Sequence, residues 1–379
     1  MKKKKTGWIL LIVLLASAYS IITMPEIEPE YIEVTTEDTV FENKFYFEQF
    51  SEEEQVVYKE VYQGLFDSHE EFNVHSNDTD LVNELVASVM LDFPEIFWTD
   101  GTGTSTTYDE AYISIKPTYI YEGEEKEKRE DEIESEAAKI LSNVPTDASE
   151  YEKIKYIYES LVETVTYVED APDNQNIYSA IVGKESVCAG YAKANQYLLE
   201  QLGISCIYVT GTAIGQDGED AHAWNIVKCD GKFYYVDVTW ADWSWLNEDN
   251  QTTEELLYDY LCCDEQVLAE THEINEDYVF PECNSTDLNY YRLHQMYYET
   301  VNRTELLDAA YRTIDAQGER TMYKFSDAEI YNQAKDLLIN ELIDTSLQHL
   351  CEKYRLQEAE CLYEEQDDLN RFIIYWEYE

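Results

Sequence analysis

Basic residues are scarce in this chain: 26 Lys and Arg stand against 80 Asp and Glu, for a formal net charge of −54. A surface of that sign repels phosphate backbones and anionic lipid headgroups, which argues against nucleic acid as a partner. With 13 glycines and 7 prolines in 379 residues, collagen-like and low-complexity architectures are excluded. The eight cysteines contain no Cys-x-x-Cys pair and form no recognisable disulfide framework. The six histidines show no His-Glu-x-x-His or other metal-ligand spacing. Glycine-rich phosphate loops and Asp-x-Asp-x-Asp-Gly calcium loops are also missing, so neither a cofactor nor a metal is expected. No internal period of about 20–50 residues occurs, which excludes solenoids and propellers.

What the chain has is apolar mass: 44% hydrophobic residues and 33 tyrosines, enough to exclude a wholly disordered acidic polymer. Its length suggests two or three domains. Lys2 to Lys5 precede an uncharged run from Trp8 to Met24 that contains Ala16-Ser17-Ala18. That order of charge, apolar stretch and small residues is the pattern of a secretory signal peptide; retention as a membrane anchor is the other reading of residues 1–24. Either way the positive flank predicts that the remainder lies outside the cytoplasm. Residues 25–43 are acidic and patternless and read as a linker.

Two capping boxes mark helix starts, Ser51 with Glu54 and Ser149 with Glu152. Val57, Val61 and Leu65 follow the first at helical spacing. Ile154, Ile157, Leu161 and Val165 form a stripe after the second. Ser105 to Tyr121 alternates like strand, and Glu122 to Glu134 is almost all charged. A short segment from Ser186 leads into Cys188, and a helix is predicted from Ala189 to Leu202, stopped by Gly203. Ile204–Thr212, Ala221–Cys229 and Lys232–Trp240 read as strands. Asp230-Gly231 joins the last two as a two-residue hairpin loop. Cys206 and Cys229, on neighbouring predicted strands, are candidates for a bridge. Beyond Tyr291 alternating helical and strand patterns suggest a small separate unit.

Nucleophilic cysteine chemistry needs a thiolate, a base and a group that orients the base. Cys188 stands where a loop enters a helix, so unpaired N–H groups and the dipole favour a thiolate there. The hairpin register pairs Cys229 with Lys232, and its continuation sets His222 opposite Thr239 and Trp224 opposite Asp237. His222 and Asp237 then become diagonal neighbours on one face, within side-chain reach. Alone, each residue has an ordinary structural reading. A buried carboxylate inside Tyr-Tyr-Val-Asp-Val makes sense only with a partner.

The blocks Val187-Cys188-Ala189-Gly190-Tyr191-Ala192-Lys193-Ala194, Leu202-Gly203-Ile204, Ala221-His222-Ala223-Trp224-Asn225 and Tyr235-Val236-Asp237-Val238-Thr239-Trp240 resemble the bacterial transglutaminase-like superfamily. They are similar to the core shared by kyphoscoliosis-peptidase and cytokinesis-type proteins. The resemblance implies an α+β, papain-like fold, in which a helix carrying the cysteine packs on an antiparallel sheet. It also implies a catalytic triad of Cys188, His222 and Asp237. Members carry an aromatic residue about ten positions before the nucleophile, where Tyr178 stands, as an auxiliary oxyanion donor; core packing is the other reading. Trp224, with Trp240, shields the site or packs the sheet. Phe93-Pro94-Glu95-Ile96-Phe97-Trp98 is similar to a segment that precedes the core in exported members. Thr271-His272 and Pro281-Glu282-Cys283 resemble pieces that follow it.

The domains expected are therefore the signal or anchor at 1–24, the acidic linker at 25–43, an N-terminal α+β region at 44–136, a transglutaminase-like catalytic domain at 137–290 and a C-terminal α+β unit at 291–379. The function implied is an exported cysteine enzyme acting on peptide or side-chain amides of a cell-surface protein or peptide. Hydrolysis is favoured over amine transfer. The alternative is a non-catalytic surface scaffold whose triad goes unused.

Overall fold

Both capping boxes form. The Ser51 hydroxyl accepts the Glu54 N–H at the head of α1 (Glu52–Phe66), and Ser149 does the same for Glu152 at α4 (Glu150–Thr164). Each glutamate returns the contact to the serine backbone, so two helix-end donors are satisfied at once. The computed structural model describes residues 29–108, 111–215, 218–241 and 256–378. The expected signal peptide or anchor lies outside the described residues. No helix among them is long and apolar enough to cross a membrane.

The chain divides into two compact units, Met1–Ser285 and Thr286–Glu379. In the first, α1 packs on α2 (Thr79–Asp92), beside a three-stranded sheet. Its strands are β1 (Phe72–Val74), β2 (Thr99–Tyr108) and β3 (Tyr112–Tyr119), in the order β1-β3-β2. The charged run becomes α3 (Gly123–Leu141), which buries only Ile133 and Ala137 and leaves its acidic residues to solvent. Two short parallel strands, β4 (Thr166–Tyr167) and β5 (Glu185–Ser186), lead into α5 (Cys188–Gln201).

Helix α5 lies on an antiparallel five-stranded sheet of order β10-β6-β7-β8-β9. The strands are β6 (Cys206–Gly215), β7 (Gly218–Cys229), β8 (Lys232–Val236), β9 (Leu261–Cys263) and β10 (His272–Ile274). Alternate residues of β7 serve different neighbours. Asn225 is wholly buried, donates to the Ala192 carbonyl at 3.0 Å and accepts from Asn195 at 2.9 Å, which fastens α5 to the strand. Trp224 and Ile226 join Ile207, Val209, Tyr235 and Trp240 in the main core.

The linker reading of residues 25–43 is corrected over its described part. Tyr31 bridges to Asn73, and the Thr35 and Thr36 N–H groups both donate to Gln63 Oε1 at 3.0 Å. Phe41 is buried among Tyr58, Tyr62 and Phe93. A single aromatic anchor carries no periodicity, so pattern reading misses it.

All eight cysteines are free, and the suggested Cys206–Cys229 bridge does not form. The register sets Cys206 opposite Val227 and Cys229 opposite Lys232, so the two thiols are not cross-strand partners.

A buried polar knot ties α2 and α5 to the segment preceding α1. Asp92 accepts the Tyr46 N–H at 3.1 Å, the Phe47 N–H at 2.8 Å and the Tyr58 hydroxyl at 2.7 Å. Lys44 donates to the Asp92 carbonyl at 2.6 Å and to Glu200 at 2.7 Å. Burial pushes Asp92 up to about 6, against the Tyr58 hydroxyl and Lys44, and Glu200 up to about 7, against Lys44. For an acid raised on folding, the stability contribution is complete below its unfolded pKa and is lost as pH rises through the folded one. The melting temperature should therefore climb as pH falls from about 8 to about 5.5. Glu200→Gln, which keeps the shape without titrating, should flatten part of that slope in thermal scans. An unchanged slope would assign the effect to general relief of the −54 charge instead.

The second unit has its own core. Strands β11 (Tyr297–Tyr298), β12 (Arg320–Phe325), β13 (Cys361–Gln366) and β14 (Arg371–Trp376) form a sheet of order β11-β12-β14-β13. Helices α6 (Arg303–Asp315), α7 (Ala328–Leu337) and α8 (Ile343–Tyr354) are covered by the same cluster, which includes Leu306, Ile314, Tyr323, Leu338, Leu350, Phe372 and Trp376.

Candidate active site

Cys188 is the first residue of α5, with Val187 as an extended N-cap. It is buried, 6% exposed, against Ala192, Tyr208 and Ala223. Gly190, in the first turn, has no room for a side chain: a Cβ there would stand 2.0 Å from Ser186 Oγ and 2.9 Å from Ser179 Oγ. The glycine of the Cys-Ala-Gly-Tyr block thus lets the loop before Cys188 fold tightly against the start of the helix.

Asp230 and Gly231 have φ of 49° and 78°, the two left-handed residues that the tight hairpin turn requires. The predicted register follows from Cys229↔Lys232 through Asn225↔Val236. There the ladder ends, which corrects the expected strand to Trp240 and its pairs His222–Thr239 and Trp224–Asp237. The cause is Asp237 itself. Its Oδ1 accepts the N–H groups of Thr239 at 2.9 Å and Trp240 at 3.3 Å, turning the chain into the short 3-10 helix Thr239–Ala241. Its own N–H leaves the hairpin and donates to the Tyr260 carbonyl at 3.0 Å.

The other carboxylate oxygen faces the imidazole. His222 Nε2 donates to Asp237 Oδ2 at 2.7 Å, with His222 5% exposed and Asp237 wholly buried. Cys188 acts on the same ring, and with Nε2 held by Asp237 the atom left to meet the sulfur is Nδ1. Burial alone would lower the His222 pKa, but Asp237 and Cys188 together raise it to about 10. Burial would likewise raise Asp237; the His222 and His272 rings instead hold it well below the usual carboxylate range. At neutral pH the His222 ring is a cation held against an anion.

His272 is the residue that sequence reasoning did not place here. Its side chain is 0% exposed, and its Nε2 stands 3.0 Å from the same Asp237 Oδ2. It lies on β10, across β6 from His222: His222 pairs with Gly211, and His272 with Ala213. The two rings are 5.3 Å apart between centroids. Thr271-His272 showed only as a likeness to a flanking piece; nothing local ties it to a residue 35 positions away. Gly211 makes the approach fit. A Cβ there would meet the Glu273 carbonyl at 2.1 Å and the Trp224 ring at 2.6 Å. Gly211→Ala should therefore push β10 outward and cost about 1–3 kcal/mol in denaturant melts.

Trp224 is fully buried, its ring centroid 5.8 Å from that of His222 and 5.1 Å from that of His272. Trp240 closes the other side, 4.7 Å from His272. Tyr178 is engaged elsewhere. Its hydroxyl donates to Glu132 at 2.8 Å, and Arg129 covers its ring at 4.2 Å.

His222, Asp237 and His272 bring one ligand atom each within 4.8 Å of one another. Two ligand atoms on a tetrahedral zinc stand about 3.3 Å apart. The nitrogen–oxygen separations of 2.7 and 3.0 Å are those of hydrogen bonds, and Oδ2 is committed to both.

The model of the transglutaminase-like superfamily matches residues 137–238, a span that holds Cys188, His222 and Asp237 and ends before His272. Those residues form a transglutaminase-like domain. Among solved structures, a candidate cysteine protease from Cytophaga hutchinsonii is 22% identical over 29% of this chain and 37% of its own, with a TM-score of 0.25. A TGase is 14% identical over 41% of this chain and 47% of its own, with a TM-score of 0.27. The chain thus spans less than half the length of either. Among curated proteins none matches.

Proposed function

We propose that the transglutaminase-like domain at residues 137–238 is a cysteine enzyme that acts on amide carbonyls of peptides or side chains. The observation that carries this is the buried line of Cys188 at a helix start, His222 against its sulfur and Asp237 behind His222 at 2.7 Å. In this reading the Cys188 thiolate attacks the carbonyl carbon and a C–S bond forms. The Gly190 and Tyr191 N–H groups are already bound to the Val187 carbonyl, so those of Cys188 and Ala189 are the donors to the oxyanion. His222 passes its proton to the leaving nitrogen as the C–N bond breaks, giving a thioester. Water then attacks with His222 as base, the C–S bond breaks, and acid and thiolate are released. An amine in place of water gives cross-linking by the same steps.

Hydrolysis is the favoured outcome, and the substrate is a protein or peptide met outside the cytoplasm. The location rests on the Lys2–Lys5 and Trp8–Met24 pattern. The test is to incubate the protein with cell-surface protein and a labelled primary amine. New N-termini mean peptide hydrolysis, and incorporated label means transfer. Neither product, together with a Cys188 thiol no more reactive than free cysteine, would leave a non-catalytic surface scaffold.

A further inference from the structure

We propose that His272 is a positioning residue for the Cys188–His222 pair, holding the Asp237 carboxylate that His222 also holds. This rests on the reading of Cys188 as nucleophile. Four donors converge on that carboxylate. The Thr239 and Trp240 N–H groups take Oδ1, while the Nε2 atoms of His222 and His272 take Oδ2 at 2.7 and 3.0 Å.

The proton inventory follows from elementary chemistry. The carboxylate is ionised and only accepts, so both histidines donate to it through Nε2–H. His272 Nδ1 stands 2.8 Å from Thr271 Oγ1, which stands 2.8 Å from the Tyr260 hydroxyl. The Thr271 and Tyr260 hydroxyls thus continue the hydrogen-bonded chain behind His272 and hold its ring in place. Among the described residues the remaining neighbours of its ring are Trp224, Trp240 and Tyr260. Burial keeps the Tyr260 hydroxyl and the nearby Cys263 thiol un-ionised.

The consequence is a shared anion. A second N–H on Oδ2 satisfies part of the carboxylate charge, so Asp237 grips the His222 proton less firmly than it would alone. A general acid whose proton is held too tightly donates slowly to a leaving amine. His272 both locks the carboxylate in place and tempers it.

The test follows alkylation of Cys188 by iodoacetamide across pH, reading the Cys188 peptide by mass spectrometry with EDTA present. In the wild type the rate should change at alkaline pH as His222 loses its proton. His272→Leu removes the shared donor and should move that step upward by about one pH unit. His272→Gln, whose amide nitrogen reaches the Nε2 position, should return it to the wild-type pH. Thr271→Val, a milder change should His272→Leu fail to fold, should shift it in the same direction by less. Coincident steps in wild type, His272→Leu and Thr271→Val would overturn the proposal, and so would a shift that His272→Gln fails to reverse. A wild-type Cys188 that alkylates like an ordinary thiol, with no alkaline step, would instead overturn the nucleophile reading.

Discussion

Cys188→Ala should bring product formation, as new N-termini or incorporated amine, down by a factor on the order of 10⁴ or more. Burial pushes Cys206, Cys229, Cys262, Cys263, Cys283 and Cys361 up, so they stay protonated, and Cys351 lies on α8 of the second unit, whereas Cys188 has the His222 ring at its sulfur. The fold should survive, because the side chain is small and contributes little packing beyond Ala192, Tyr208 and Ala223. Melting by circular dichroism should shift by no more than a few degrees. Activity that persists in this variant would separate the chemistry from Cys188 altogether.

Asp237→Asn should hurt both rate and stability. The amide is neutral and turns at least one N–H toward a site built to receive four donors. Without the anion, the His222 ring falls back from about 10 toward its ordinary value, and the positive charge beside Cys188 is lost. A rate loss on the order of 10³–10⁴ is expected. Breaking a buried pair from one side costs about 3–5 kcal/mol. The pH dependence carries the signature. Asp237 is lowered on folding, so its contribution is present above the unfolded carboxylate pKa and is lost only in strong acid. His222 is raised, so its contribution is complete below about 6.5 and is lost as pH climbs through about 10. The stability gap between wild type and Asp237→Asn should thus be widest between about pH 4 and 6.5 and should narrow toward pH 10. A gap that stays flat across that range would show that packing, not the ion pair, is what the substitution disturbs.

The parts legible in the sequence are those whose cause is local. Ser51 with Glu54 and Ser149 with Glu152 place helix starts because each cap is a contact between residues three apart. Asp230-Gly231 sets the hairpin register from Cys229↔Lys232 to Asn225↔Val236 because only residues that accept positive φ can make that turn; Asp237 stands one residue past that ladder, and its contact with His222 comes from the turn that follows. Cys188 at a helix mouth is legible for the same reason: the loop-to-helix change is written in adjacent residues.

What the tertiary structure alone decided are relations between segments far apart in the chain. The ladder stops at Val236 because Asp237 spends one oxygen on the turn after it, a choice that alternating hydrophobicity cannot express. Phe41 is a buried anchor although its neighbours carry no pattern. Tyr178 stands at the spacing of an oxyanion donor, yet its hydroxyl is claimed by Glu132 on another helix. His272 reaches Asp237 only because β10 lies along β6 and Gly211 leaves room between them. Sequence encodes short-range backbone preference directly, whereas the partner of a buried polar group is settled only when distant strands pack and each donor must find an acceptor.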